Sequence, residues 1–265
     1  MAFKYSKTYS PQSKDPFKLS RSKIDLFFDC QRCFYLDRRL GVSRPQGFPF
    51  NLNSAVDLLL KKEFDEHRED QTPHHYMIDN DIEAVPFAHK DIDVWRENFT
   101  GIQFLHPDSN FLVFGAVDDV WVYTEGKDEG KLIVVDYKAT SKDGEVGLDA
   151  DWQDSYKRQV EVYNWLLKNN GFDVSADAYF VYANGLRNAK SFDDKLEFDI
   201  RLIKHICKID WIDKVLMNIK KCLDSDLIPN ASKKLNYKGE ECICEYCDYR
   251  EKAGKGFIEH VKKTK

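Results

Sequence analysis

The chain has 265 residues, 42% of them hydrophobic and 32% charged, with a formal net charge of −5. That is enough sequence for one large domain or two small ones with a substantial core. No run approaches the roughly 18 consecutive apolar residues of a membrane span, and the polar first twenty residues lack the apolar stretch of a secretory signal. No membrane association and a cytoplasmic location are therefore expected.

Charge is unevenly spread: residues 1–44 hold ten Lys and Arg against four Asp and Glu, and residues 230–265 hold nine against six. Basic ends around an acidic centre suit a protein that meets phosphate at its edges and metal in its middle.

Residues 1–18 read as a flexible lead-in, and residues 19–265 as a single domain. Residues 20–40 form the first expected helix, capped by Ser20 or Ser22, with Ile24, Phe27, Phe28 and Phe34 at three-to-four spacing. After Pro45 and Pro49, residues 51–68 give a second helix with Leu52, Val56, Leu59, Leu60 and Phe64 on one stripe. Residues 69–110 lack a clear period and read as short strands and loops. Residues 111–123, rich in Val, Phe and Trp, read as a strand. The polar turn 125–130 then sends residues 131–139 back antiparallel as the second arm of a hairpin. Residues 151–169 are an amphipathic helix ended by Gly171. Residues 176–182 are a strand closed by an Asn184-Gly185 turn, 195–200 a further short strand and 200–223 a long helix. A basic, Cys-rich tail follows, with its cysteine segment at 240–250.

The hairpin carries the chemistry. Its first arm holds Gly115-Ala-Val-Asp118 and its second Val134-Val-Asp136-Tyr-Lys138. Carboxylates inside so apolar a strand cost several kcal/mol to bury unless something offsets their charge, and a divalent cation does so. Residues two apart on a strand share a face, so Asp136 and Lys138 project together, and Asp118 reaches the same place from the neighbouring arm. Asp119 is the competitor for Asp118, but alternation points it to the other face. Two carboxylates holding magnesium or manganese, with an ammonium beside them, suit phosphodiester hydrolysis by a metal-activated water. On the helix after the hairpin, Gln159 and Tyr163 stand at i, i+4 and share a face.

Gly-x-x-Asp on one strand, Asp-x-Lys on the next and Gln-x3-Tyr on the following helix together resemble the RecB-like branch of the PD-(D/E)xK nucleases. The resemblance implies an α/β, restriction-endonuclease-like core, a central mixed β-sheet flanked by helices. It implies Asp118 and Asp136 as ligands to Mg2+ or Mn2+, with the main-chain carbonyl of Tyr137 as a third. Lys138 would be the catalytic lysine, and Gln159 and Tyr163 the helix motif. The family often places a metal-binding His on the helix before the sheet. Here that helix reads Asn53-Ser-Ala-Val-Asp57, so Asp57 would take its place, with Glu63 in reserve.

Of seven cysteines, five fall in two groups about 210 residues apart: Cys30 and Cys33, then Cys242, Cys244 and Cys247. Cys-x2-Cys pairs suit a four-thiolate site for one ion or cluster, which would clasp the ends of the domain into a Cys-bearing lobe. The contexts DCQRCFYLDR and CEYCDYR resemble those of RecB-like and CRISPR-associated exonucleases that hold a [4Fe–4S] cluster. The usual last cysteine is missing, so five candidates compete for four places and Zn2+ stays open as the alternative. Cys207 and Cys222 read as core residues and His260 as a solvated side chain.

The expected function is a metal-dependent DNA nuclease, in form an exonuclease, acting in repair, recombination or defence. No Gly-x4-Gly-Lys-[Ser/Thr] segment occurs, so helicase coupling needs a partner. Arg21, Lys23, Arg32, Arg38, Arg39 and Arg44 are candidates to face a phosphate backbone, and Trp152 and Trp165 to stack on bases, although burial suits both tryptophans better. Two other readings remain, a catalytically silent nuclease fold that binds nucleic acid or a partner, and a metal- or redox-sensing module.

Overall fold

Every residue from Leu132 to Tyr137 is buried, Asp136 included, and the strand they build is the middle of the largest sheet. A computed structural model describes residues 6–235 and 239–264, and for Leu235 its backbone only. The chain divides into two units. One comprises Phe48–Phe104 and Val113–Ile212, and the other Met1–Gly47, Leu105–Leu112 and Asp213–Lys265. We call them the sheet unit and the cysteine unit.

The sheet unit contains helix α3 (Asn51–Asp70) and five strands: β2 (Ala84–Pro86), β5 (Asp119–Tyr123), β6 (Leu132–Thr140), β7 (Val174–Gly185) and β8 (Phe198–Ile206). Their order is β2-β5-β6-β7-β8, with β6 and β7 parallel and the other neighbours antiparallel. Helix α6 (Asp154–Asn169) makes the crossover that the parallel pair requires. This is the expected mixed sheet flanked by helices. Alternation sorts the faces: Ile133, Val135 and Tyr137 join Trp121, Tyr179 and Val181 in a core with Leu60 and Phe64 of α3. Leu132, Val134 and Asp136 point the other way, towards α6, which packs on β6 and β7. Two short helices, α4 (His75–Ile78) and α5 (Ile92–Arg96), fill out the stretch that lacked a readable period.

The cysteine unit holds β1 (Phe17–Ser20), α1 (Arg21–Asp29), α2 (Gln31–Leu40), α7 (Ile212–Asp224), the antiparallel pair β9 (Lys233–Leu235) and β10 (Glu241–Ile243), and α8 (Glu245–Lys263). Strands β3 (Ile102–His106) and β4 (Phe111–Gly115) carry the chain into this unit and out again. The lead-in expected to be flexible puts Tyr9 into this core: its ring stands edge-on to Phe17 and Phe111, and its hydroxyl donates to Asp224 at 2.6 Å.

Several expected elements differ. The helix over 20–40 is broken at Cys30, whose backbone is extended (φ −160°, ψ 109°) while the apolar spacing runs on unaltered. The strand over 111–123 is two strands, and Asp118 lies in the break just before β5 rather than within a strand. The helix over 200–223 is strand β8 followed by α7. Ile200 and Leu202 alternate onto the sheet core, a period-two signal that the helical pattern further along obscured. Gly185 does not turn the chain but ends β7, where an added Cβ would meet Leu196 at 3.2 Å. The tail is a 19-residue helix, α8. Among the described residues, no helix is long and apolar enough to cross a membrane.

Candidate functional site

Asp118 lies against the strand segment that carries Asp136 and Lys138. The main-chain N–H of Tyr137 donates to Asp118 Oδ2 at 3.0 Å, which fixes Asp118 against the Asp136-Tyr137-Lys138 segment. Asp136 is fully buried, with its carboxylate paired to the Lys138 ammonium. Lys138 also donates to Gln159 Oε1 at 3.3 Å, and Gln159 Nε2 donates to the Tyr163 hydroxyl at 3.1 Å. The strand and helix motifs are thus joined in a single chain of contacts.

Asp57 belongs to the same place. Lys61, one helical turn further along α3, donates to Asp57 at 2.9 Å and to Asp118 at 3.4 Å. Burial raises the Asp57 carboxyl above its ordinary value, and the Asp118 charge adds to that; Lys61 and Lys138 oppose it. Burial would lower the Lys61 ammonium, but Asp118 and Asp57 outweigh it and raise it. A carboxyl that resists ionisation beside another carboxylate is an acidic crowd that a divalent cation relieves. The donors of Asp57, Asp118 and Asp136 are all oxygen, the chemistry a hard ion such as magnesium or manganese prefers, although the three carboxylates do not gather within 4.8 Å of one another. Glu63 lies elsewhere, accepting from His74 Nε2 at 2.9 Å.

Asp119 faces the opposite side, as alternation requires. It is fully buried and accepts from Arg68, from Arg96 at 3.0 Å, from the Tyr137 hydroxyl at 2.8 Å and from the main-chain N–H of Val120 at 2.8 Å. Arg96 also donates to the main-chain oxygen of Asp118 at 3.1 Å, so this buried cluster holds the backbone that presents Asp118. Burial, and then Asp119, push the Tyr137 phenol far above its usual value, so it stays a donor.

Three participants went unforeseen. Lys61 had a sequence signal, its i, i+4 relation to Asp57. Arg96 had none, since nothing local marks α5 as a support for the next strand. Tyr156, three residues before Gln159 on α6, puts its ring 4.5 Å from the Lys138 ammonium.

In the cysteine unit, Cys30 and Cys33 from the α1–α2 junction meet Cys244 and Cys247 from the start of α8, and all four are buried. Cys242 sits on β10 opposite Lys234 and is not part of that group. Burial disfavours the Cys30 thiolate, but main-chain donors on Ser232 and Cys33 and the thiols of Cys247 and Cys244 outweigh it and bring it down to about 6. Burial raises Cys33 and Cys247. Cys207 and Cys222 stand apart, half-buried, with burial pushing their thiols up to about 12 and about 11.

The basic residues expected to face phosphate are engaged with protein groups. Arg21 pairs with Asp25, Lys23 and Arg38 with Asp37, Arg39 with Asp226 and Arg44 with Asp29, while Arg32 donates to the Pro229 carbonyl. Trp165 is buried and Trp152 exposed.

Compared with known proteins, residues 18–251 match the family described as the PD-(D/E)XK nuclease superfamily. No curated protein matches the chain.

Proposed function

The chain belongs to the PD-(D/E)XK nuclease superfamily, and from that premise we propose that it is a DNA nuclease, an exonuclease that works with Mg2+ or Mn2+ in repair, recombination or defence. Asp118 and Asp136, with the main-chain carbonyl of Tyr137 and the carboxylate of Asp57, would hold the ion. When bound, that ion polarises a phosphoryl oxygen and lowers the pKa of a water.

The chain's own residues supply the rest. Lys138 stands between Asp136 and Gln159, so its ammonium is fixed where it can orient the attacking water and offset the charge gathering on the phosphoryl oxygens. Gln159 passes its orientation on to Tyr163 through the side-chain amide. Lys61 would compete with a bound cation for Asp118, because both are held by the same carboxylate.

The observation that carries this reading is the contact chain from Asp118 through the Tyr137 N–H to Lys138, Gln159 and Tyr163. End-labelled linear DNA and closed circular DNA, single- and double-stranded, test it with magnesium and with manganese. Nucleotide release from the labelled end with circles left intact is the expected result. Cutting of circles makes the protein an endonuclease. If no substrate is cut with either metal, the chain is a binding protein on a nuclease fold.

A further inference from the structure

The four buried cysteines are close enough for their spacing to tell one occupant from another. The Sγ atoms of Cys30 and Cys247 are 3.7 Å apart, those of Cys33 and Cys244 3.7 Å, and those of Cys33 and Cys247 3.5 Å. All four lie within 4.8 Å of one another. A single ion with four sulfur bonds of about 2.3 Å holds its ligands at the corners of a tetrahedron whose edges are about 3.8 Å. A four-iron cluster puts a cube of iron and sulfide between the thiolates, each cysteine taking a different iron at an outer corner. Its cysteine sulfurs must then stand well beyond any separation found here. The residues do not fit the [4Fe–4S] cluster that their sequence context resembles.

We propose that Cys30, Cys33, Cys244 and Cys247 form a structural, mononuclear zinc site. Every position of the tetrahedron is a protein thiolate and every sulfur is buried, which is the closed arrangement of a structural ion and leaves no place for a reacting water. Lone ferrous iron would also accept four thiolates, but it binds the same donors more weakly than zinc.

The local backbone is shaped for this role. The extended residue between α1 and α2 is Cys30 itself, and the break lets both sulfurs of the Cys30-x2-Cys33 pair turn inward. On the other side, strand β10 leads into Cys244, whose carbonyl accepts the N–H groups of Cys247 and Asp248 as α8 begins. Main-chain N–H groups of Ser232 and Cys33 also reach the Cys30 sulfur.

The charge is balanced as well. One Zn2+ with four thiolates carries two net negative charges, and two guanidinium groups donate to its sulfurs. Arg44 reaches Cys244 Sγ at 3.4 Å and Arg250 reaches Cys33 Sγ at 3.7 Å. Arg44 is held in turn by Asp29 and by the Tyr246 ring, 4.3 Å below its guanidinium carbon. The site joins the α1–α2 junction to α8 within one unit, across about 210 residues of sequence.

Elemental analysis of the full chain, purified without oxygen from cells supplied with both iron and zinc, tests the assignment without reference to cleavage. The expected result is a colourless protein with about one zinc per chain and no acid-labile sulfide. Replacing the zinc with cobalt should give the intense visible bands of a tetrahedral thiolate site. Cys247→Ala should lower zinc content at least tenfold, whereas Cys242→Ser should keep it. A brown protein with about four irons and matching sulfide, a single iron, or zinc no higher in wild type than in Cys247→Ala would overturn the proposal. Because none of these readouts is DNA cleavage, the zinc site and the nuclease assignment stand or fall separately.

Discussion

Lys61 is the residue whose position changes the picture of the acidic site most. It bridges Asp57 and Asp118, the two carboxylates whose repulsion helps to raise Asp57. An ammonium there competes with a divalent ion. Lys61→Ala should therefore bind Mg2+ several-fold more tightly, read by calorimetric titration; unchanged or weaker binding would mean that Lys61 is not a competitor. Asp136 and Lys138 were legible as candidates because charged groups inside an apolar strand have few bland explanations, and Asp118 through its place just before the neighbouring strand. Lys61 had only its i, i+4 relation to Asp57 as a signal, because its reach to Asp118 depends on how α3 packs on the sheet. Glu63, the reserve candidate, stands apart from Asp57 and accepts from His74, in a group with His75.

At the scale of elements, the support for the site is the buried cluster under β5. Asp119 ties α3, through Arg68, to α5, through Arg96, and to β6, through the Tyr137 hydroxyl. Removing one member strands the others' charge in the interior. Asp119→Ala should cost about 3–5 kcal/mol of stability, measured by denaturant unfolding, and should displace Asp118 because Arg96 holds its main-chain oxygen. A loss below about 1 kcal/mol would show that the cluster is only surface-like in strength. Sequence patterning found α3, β6 and α6, whose apolar periods are long and regular. It merged β4 with β5 and β8 with α7, because a break of three to five residues inside apolar sequence leaves both periods half satisfied. It also ran α1 and α2 together, since the interruption at Cys30 serves the sulfurs and not the core.

For the whole molecule, three carboxyls respond to acid with different signs, Asp37 and Asp29 in the cysteine unit against Asp57 in the sheet unit. Asp37 in the cysteine unit is almost fully buried; burial alone would raise it, but Lys23 and Arg38 outweigh that and hold it below the ordinary carboxylate range. Asp29, held down by Lys234 and Arg44 against burial, behaves the same way. A depressed folded-state carboxyl contributes stability that is complete above the unfolded value of about 3.9 and is lost as pH falls through the folded value. Asp57 in the sheet unit is raised, so the cost of keeping it ionised is relieved as pH falls through its folded value. Acid unfolding should accordingly begin below about pH 4, and Asp37→Asn should flatten the slope there; an unchanged slope would remove Asp37 from the account. The mixed sheet and its flanking helices were readable as a whole from the order of three motifs. The division of the chain into two units was not, since no change of composition marks residues 105–112 as an excursion from one unit into the other. If Asp118, Asp136 and Lys138 form a metal-dependent phosphodiesterase site, DNA cleavage compared across Mg2+ and Mn2+ concentrations should separate the wild type from folded Asp136→Ala and Lys138→Ala proteins. Metal-dependent cleavage by the wild type and a loss of at least about 100-fold in both variants are expected; undiminished cleavage in either variant would rule this site out.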